Sequence, residues 1–228
     1  MPARRRRITS PRVKQKPSPS IWLPVALMLA FALSRWPGAL PNNFSAAYAL
    51  AFCCGVFLPG RLAWWLPLST LIATNVLLTH FYYQMTIWSW SLLYLSISYG
   101  ALVFLGRRFQ PAAAWWKLVG GGLLGAVVFY LISNTGAWLT ESTQPYPKTF
   151  SGWIQALTVG TPGWPPTWTF FRNTLLSGGL FTALFVGAMR LGESLTSAAP
   201  EEEASAEPSQ PGSSSSSSSE ESAAQARP

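Results

Sequence analysis

The chain has 228 residues, of which 49% are hydrophobic, 14% aromatic and only 11% charged. Soluble domains carry roughly 25% charged residues, so a water-covered globular surface is excluded for most of this length. The net charge of +8 does not point to nucleic acid: the basic excess sits in one N-terminal tail beside a hydrophobic mass, as in juxtamembrane basic segments, and the sequence carries no zinc-finger spacing, RNA-binding aromatic motif or helix-turn-helix pattern.

Residues 1–19 contain Arg4 to Arg7, Arg12, Lys14 and Lys16 among Pro11, Pro17 and Pro19. Such composition predicts a disordered tail. It has the charge of a signal-peptide start, but no small-x-small site closes the apolar stretch and further apolar segments follow, so it reads as a retained cytoplasmic anchor. Six apolar segments then occupy residues 20–193. They are residues 21–36, 44–58, 62–83, 86–106, 115–139 and 168–191. The second reaches only about 23 Å at ~1.5 Å per residue, against a bilayer core of about 30 Å. It therefore needs its flanks or protein neighbours to complete a crossing. The loop over 140–167 holds Pro145, Pro147, Pro162, Pro165 and Pro166. Its apolar stretch at 150–159 is too short to span and predicts a half-helix or interfacial segment. From residue 194 onward, Glu201 to Glu203, the run Ser213 to Ser219, and Glu220 with Glu221 mark a low-complexity tail that cannot bury enough apolar surface to fold. The expected fold is all-α: a polytopic membrane protein with about six transmembrane helices plus a short half-helix in the loop between spans five and six.

Charge placement sets the expected orientation. Between residues 20 and 199 the basic residues are Arg35, Arg61, Arg107, Arg108, Lys117, Lys148, Arg172 and Arg190, the acids are Glu141 and Glu193, and aspartate is absent from the whole chain. Six spans put both termini on one side. With the distant Arg227 set aside, that side collects twelve basic residues, and the other holds Arg35, Lys148 and Arg172. The positive-inside rule then places both termini in the cytoplasm. Trp64, Trp65, Trp88, Trp115 and Trp116 fall near span ends, where an aromatic belt lies.

Catalytic signatures are lacking. The chain has no phosphate-binding glycine loop with lysine, no nucleophile elbow and no paired acids, and its single histidine, His80, cannot build a histidine metal cluster. Hydrolytic or redox catalysis, a cofactor and a bound metal are not expected. The adjacent Cys53 and Cys54 would strain a disulfide and read as two small buried residues of a helix. Gly120, Gly121, Gly122 and Gly125, then Gly178, Gly179 and Gly187, permit close helix packing, within the chain or against a partner.

Polar residues gather on the outer side of this topology. Asn42 and Asn43 precede the second span. Asn75 and His80 lie in the outer half of the third, and Asn134 and Trp138 near the outer end of the fifth. Tyr146, Lys148, Arg172 and Asn173 lie in or beside the long outer loop. Polar groups at membrane depth are costly unless they face protein, water or a ligand. Their convergence predicts an outward-open pocket with Trp138, Tyr146 and Phe171 as apolar walls. Taken alone, each residue reads rather as a cap, an interhelical hydrogen bond or an exposed loop charge.

Several strings are more specific: Pro41-Asn42-Asn43-Phe44-Ser45, Leu66-Pro67-Leu68 followed by Thr74-Asn75, Asn134-Thr135-Gly136-Ala137-Trp138, Tyr146-Pro147-Lys148-Thr149, and Phe170 through Leu176. Over roughly residues 36–187 the chain resembles uncharacterised bacterial inner-membrane proteins, which are distantly similar to the substrate-binding S components of energy-coupling-factor vitamin transporters. Such relatives often carry an aspartate where this chain has Asn75, which puts ion coupling at that position in doubt. The resemblance implies a six-helix fold, a small-molecule pocket facing outward, and a transmembrane coupling subunit with ATPase subunits as partners. Ala26 and Ala30, a small-x-x-x-small pair, would then be the docking face on the first helix. The competing expectation is a non-transporting scaffold in envelope organisation. An intramembrane enzyme is disfavoured by the missing acid pairs.

Overall fold

The computed structural model of the protein describes residues 22–86, 89–140 and 146–205. The expected N-terminal tail, Trp88 and the serine run lie outside the described residues. Among the described residues, seven α-helices occur in the order α1 (Trp22–Ser34), α2 (Ala47–Phe57), α3 (Leu62–Leu77), α4 (Trp90–Gly106), α5 (Trp115–Thr140), α6 (Phe150–Leu157) and α7 (Thr167–Ser205). A π-helical turn, Leu78–Tyr82, continues α3. No strand occurs among the described residues. Among the described residues, three helices are long and apolar enough to cross a membrane: α3 with its π turn (Leu62–Tyr82), α5, and α7 over Thr167–Ser194. The apolar helices α2 and α4 are shorter, at 11 and 17 residues.

The arrangement is a ring around one helix. α1 packs on α3, α3 on α4, α4 on α5, α5 on α7, and α7 back on α1. All five also touch α2. Every residue of α2 from Ala47 to Val56 is buried, and Cys53 and Cys54 are free thiols within that core. The shortness of the second apolar segment thus has a structural counterpart. At ~1.5 Å per residue α2 is roughly 16 Å long and α5 roughly 39 Å. A short helix enclosed by protein leaves the ring hollow above one of its ends.

Close approach at the centre depends on glycine. A Cβ on Gly55 of α2 would stand 2.3 Å from the Val103 carbonyl oxygen of α4, and one on Gly106 would stand 2.2 Å from the Phe52 carbonyl oxygen. The two backbones therefore touch directly, as small residues allow between packed helices. The glycines of α5 and α7 pack within the chain: Gly121 against Phe52 and Phe109, Gly122 against Thr182, Gly125 against Leu102, and Gly178 against Ala126. Outward faces are apolar, with Leu29 and Leu33 on α1, Trp65 and Ile72 on α3, Ile97 and Phe104 on α4, and Leu176, Leu180 and Leu184 on α7 all exposed. Ala26 and Ala30 are exposed on α1.

Two boundaries differ from expectation. α7 runs on to Ser205, past residue 194 where the disordered tail was expected to begin. Alanine and glutamate, which fill positions 198–204 apart from Pro200, are strong helix formers. The third segment is not one continuous α-helix either. Its last turn widens, with the Tyr83 amide donating to the Leu78 carbonyl at 2.9 Å, and π turns of this kind occur frequently at functional sites.

Candidate functional site

The hollow above α2 is a cavity of about 530 Å³. Its floor is aromatic. Tyr48, in the first turn of α2, lies near-parallel to Tyr99 of α4 at 6.3 Å between ring centres, and Phe129 of α5 meets Tyr48 at 4.6 Å and Tyr99 at 5.0 Å. The walls are polar and come from the ends of α3, α4 and α5: Asn75 and Thr79, Tyr94, and Ser133 with Asn134. Phe170 of α7 also lines it. The segment 35–46, which joins α1 to α2, closes the remaining side with Arg35, Asn42, Asn43 and Phe44.

That segment is pinned at both ends. The Ser34 and Ser45 hydroxyls lie 3.3 Å apart, and Ser34 Oγ accepts from the Ala46 amide at 3.3 Å. Farther along, Asn173 Nδ2 of α7 donates to the Asn42 carbonyl at 2.9 Å. Between them the chain turns back, with the Phe44 amide donating to the Pro41 carbonyl at 2.9 Å. Asn43 makes that turn with φ of 59°, a left-handed conformation that asparagine tolerates better than most residues.

Of the residues singled out in the sequence, Asn43, Asn75 and Asn134 meet at this cavity. Asn134 spends one N–H on the Tyr130 carbonyl at 2.9 Å. Asn173 stands behind the site as the anchor of segment 35–46. Trp138, Tyr146 and Lys148 lie in a separate group, in which Trp138 and Lys148 hold the chain after α5 against that helix and Tyr146 ties that chain to itself. There Trp138 Nε1 donates to the Pro147 carbonyl at 3.2 Å, Tyr146 pairs with the Thr161 hydroxyl at 2.7 Å, and Lys148 Nζ donates to the Trp138 carbonyl while covering its ring. Trp153 of α6 donates to Thr135 at 2.9 Å, and the Tyr130 hydroxyl donates to the Leu157 carbonyl at 2.5 Å. Arg172 is exposed and covers Trp168. His80 is exposed in the π turn against Phe81. Phe170 rather than its neighbour Phe171 reaches the cavity, because Phe171 packs on Tyr130 at 4.6 Å.

Sequence reasoning missed Arg35, Tyr48, Tyr99 and Ser133. Arg35 had a usable signal, as a charge lying inside an apolar segment, residues 21–36, on the sparsely charged side. The tyrosines carry none, since they sit in apolar helices about fifty residues apart and meet only through packing. Among the described residues no cluster of three or more His, Cys, Asp or Glu side chains is placed to hold a metal.

Comparisons with curated proteins and with solved structures return no match. A family of unknown function, DUF6580, matches residues 15–200, a stretch that contains the central helix and the ring up to the last turn of α7, and the chain belongs to that family.

Proposed function

We propose that the chain is a six-span protein of the bacterial inner membrane with both termini in the cytoplasm, and that its cavity captures a small molecule from the outer side for uptake. One observation carries this reading: a polar and aromatic cavity of about 530 Å³ sits at one end of an apolar helical bundle, within the roughly 300–1,000 Å³ of small-molecule sites. The orientation rests on charge. Arg35, Lys148 and Arg172 belong to the cavity end, while Arg61, Arg107, Arg108, Lys117 and Arg190 belong to the opposite end. The excess marks the cytoplasmic side. Capture is a binding role without catalysis. The sequence has no phosphate-binding loop, so energy for release inward would come from separate coupling and ATPase subunits. The exposed Ala26 and Ala30 of α1 offer such a partner a close-packing face.

The test is native mass spectrometry of the full chain released from its membranes, joined to a thermal-shift screen of small solutes in neutral detergent. The expected result is a ligand or set of solutes bound by the wild type and lost in two blocking variants, Ser133→Trp and Ala137→Phe. Solute binding that survives in folded forms of both variants would overturn the assignment.

A further inference from the structure

We infer that the cavity selects a small organic anion, with its carboxylate or phosphate group at Arg35 and its apolar body on the floor of Tyr48, Tyr99 and Phe129. The inference rests on the capture reading and specifies its substrate class. Arg35 is the sole charged side chain among the described lining residues. It is half-buried, and its guanidinium makes no hydrogen bond or ion pair with any described residue. The described lining contains no carboxylate at all. A cation held near membrane depth without a counter-charge is costly, and such residues mark ligand or ion sites whose partner completes the charge. The planar guanidinium presents five donors in a fork that matches carboxylate and phosphate oxygens.

The surroundings have the same preference. Arg35 lines the same cavity as Tyr48, Tyr99 and Phe129, so an anion bound to it shares the space with the aromatic floor. Asn75 makes no side-chain hydrogen bond among the described residues, and Asn134 retains one N–H after bonding Tyr130. Both offer neutral donors to an anionic group without adding charge. The N-terminus of α2 also ends at the floor, and its dipole adds partial positive charge of the same sign. A cationic solute would meet Arg35 with no acid among the described lining residues to offset it.

The experiment compares three ring compounds of one shape: indole-3-acetate, indole-3-acetamide and tryptamine. Each is titrated into the full chain in neutral detergent and in nanodiscs of zwitterionic lipid, alongside a wider solute panel sorted by charge. The acid should bind at least tenfold more tightly than the amide, and the amine should not bind. Arg35→Gln should abolish the acid preference, while Arg172→Gln, at an exposed arginine outside the cavity, should leave it intact. Equal binding of acid and amide, or an acid preference that survives in folded Arg35→Gln, overturns the inference. If neutral or cationic solutes bind and are lost in Ser133→Trp, the capture reading stands and the anion assignment falls. If no member of any charge class binds, both fall. Repeating the titration in nanodiscs with an anionic lipid separates two sources of the anion, since competition by the lipid identifies a headgroup and its absence a free solute.

Discussion

Replacing Gly55 with alanine places a methyl carbon 2.3 Å from the Val103 carbonyl oxygen, 3.0 Å from Gly106 Cα and 3.1 Å from the Arg107 amide nitrogen. All three obstacles are backbone, so no rotamer change relieves them. Carbon contacts are optimal at about 3.5–4.0 Å, so α2 and α4 must separate by about 1 Å. α2 is buried on every side, and the displacement pushes it into α1, α3, α5 or α7. Overpacking of this kind costs about 1–3 kcal/mol, and the backbone contact places this case near the top of that range. With roughly 2–4 °C per kcal/mol for a chain of this size, the melting temperature should fall by about 6–12 °C. Thermal unfolding in detergent, followed by tryptophan fluorescence, measures it. Gly120→Ala is the control: nothing lies within 4 Å of its added Cβ, and alanine gains up to ~1 kcal/mol of helix propensity over glycine. Gly106→Ala should match Gly55→Ala, and the double variant should cost less than the sum, because both act at one contact. A Gly55→Ala protein that unfolds at or above the wild-type temperature would refute the direct α2–α4 contact.

Three further outcomes follow from single contacts. Asn173→Ala removes the bond to the Asn42 carbonyl. It should cost about 1 kcal/mol and raise amide exchange in segment 38–44 without affecting α4. Tyr130→Phe deletes the hydroxyl held by the Leu157 carbonyl. Urea or thermal unfolding should show a loss of about 1–1.5 kcal/mol, and exchange should rise across residues 157–167. Thr182 is fully buried with no hydrogen-bond partner for its hydroxyl among the described residues. Thr182→Val should therefore raise stability by about 1 kcal/mol, and a loss of similar size would show that the hydroxyl is satisfied.

Helix order was legible because long apolar runs are separated by breaks that, apart from Gln84-Met85, carry proline or charge, and α5 and α6 begin where tryptophan or phenylalanine follows such a break. The short second segment carried more information than its hydropathy. A helix too short for its bundle must be enclosed by others, and the space above it becomes a cavity. What local sequence cannot show is which faces meet. Gly55 and Gly106 are 51 positions apart and look like any two helical glycines until the backbones touch. Asn43, Asn75 and Asn134 were recognisable as polar groups in apolar surroundings, whereas Tyr48 and Tyr99 resemble ordinary apolar-helix aromatics. Trp138, Tyr146 and Lys148 were expected in the same pocket as the asparagines, but their hydrogen bonds lie within the chain between α5 and α7 and the end of α5. The π turn at Leu78–Tyr82 leaves no trace in hydropathy, because it changes hydrogen-bond spacing and not composition.

The most direct test of the account asks which side of the membrane the cavity faces. Cys53 and Cys54 are first replaced with alanine, and single cysteines are then introduced by Asn43→Cys at the cavity mouth and Arg61→Cys at the opposite end. Intact cells are treated with a membrane-impermeant maleimide. The account predicts labelling at position 43 in intact cells and at position 61 only after lysis. Labelling of position 61 from outside, with position 43 protected until lysis, would contradict it.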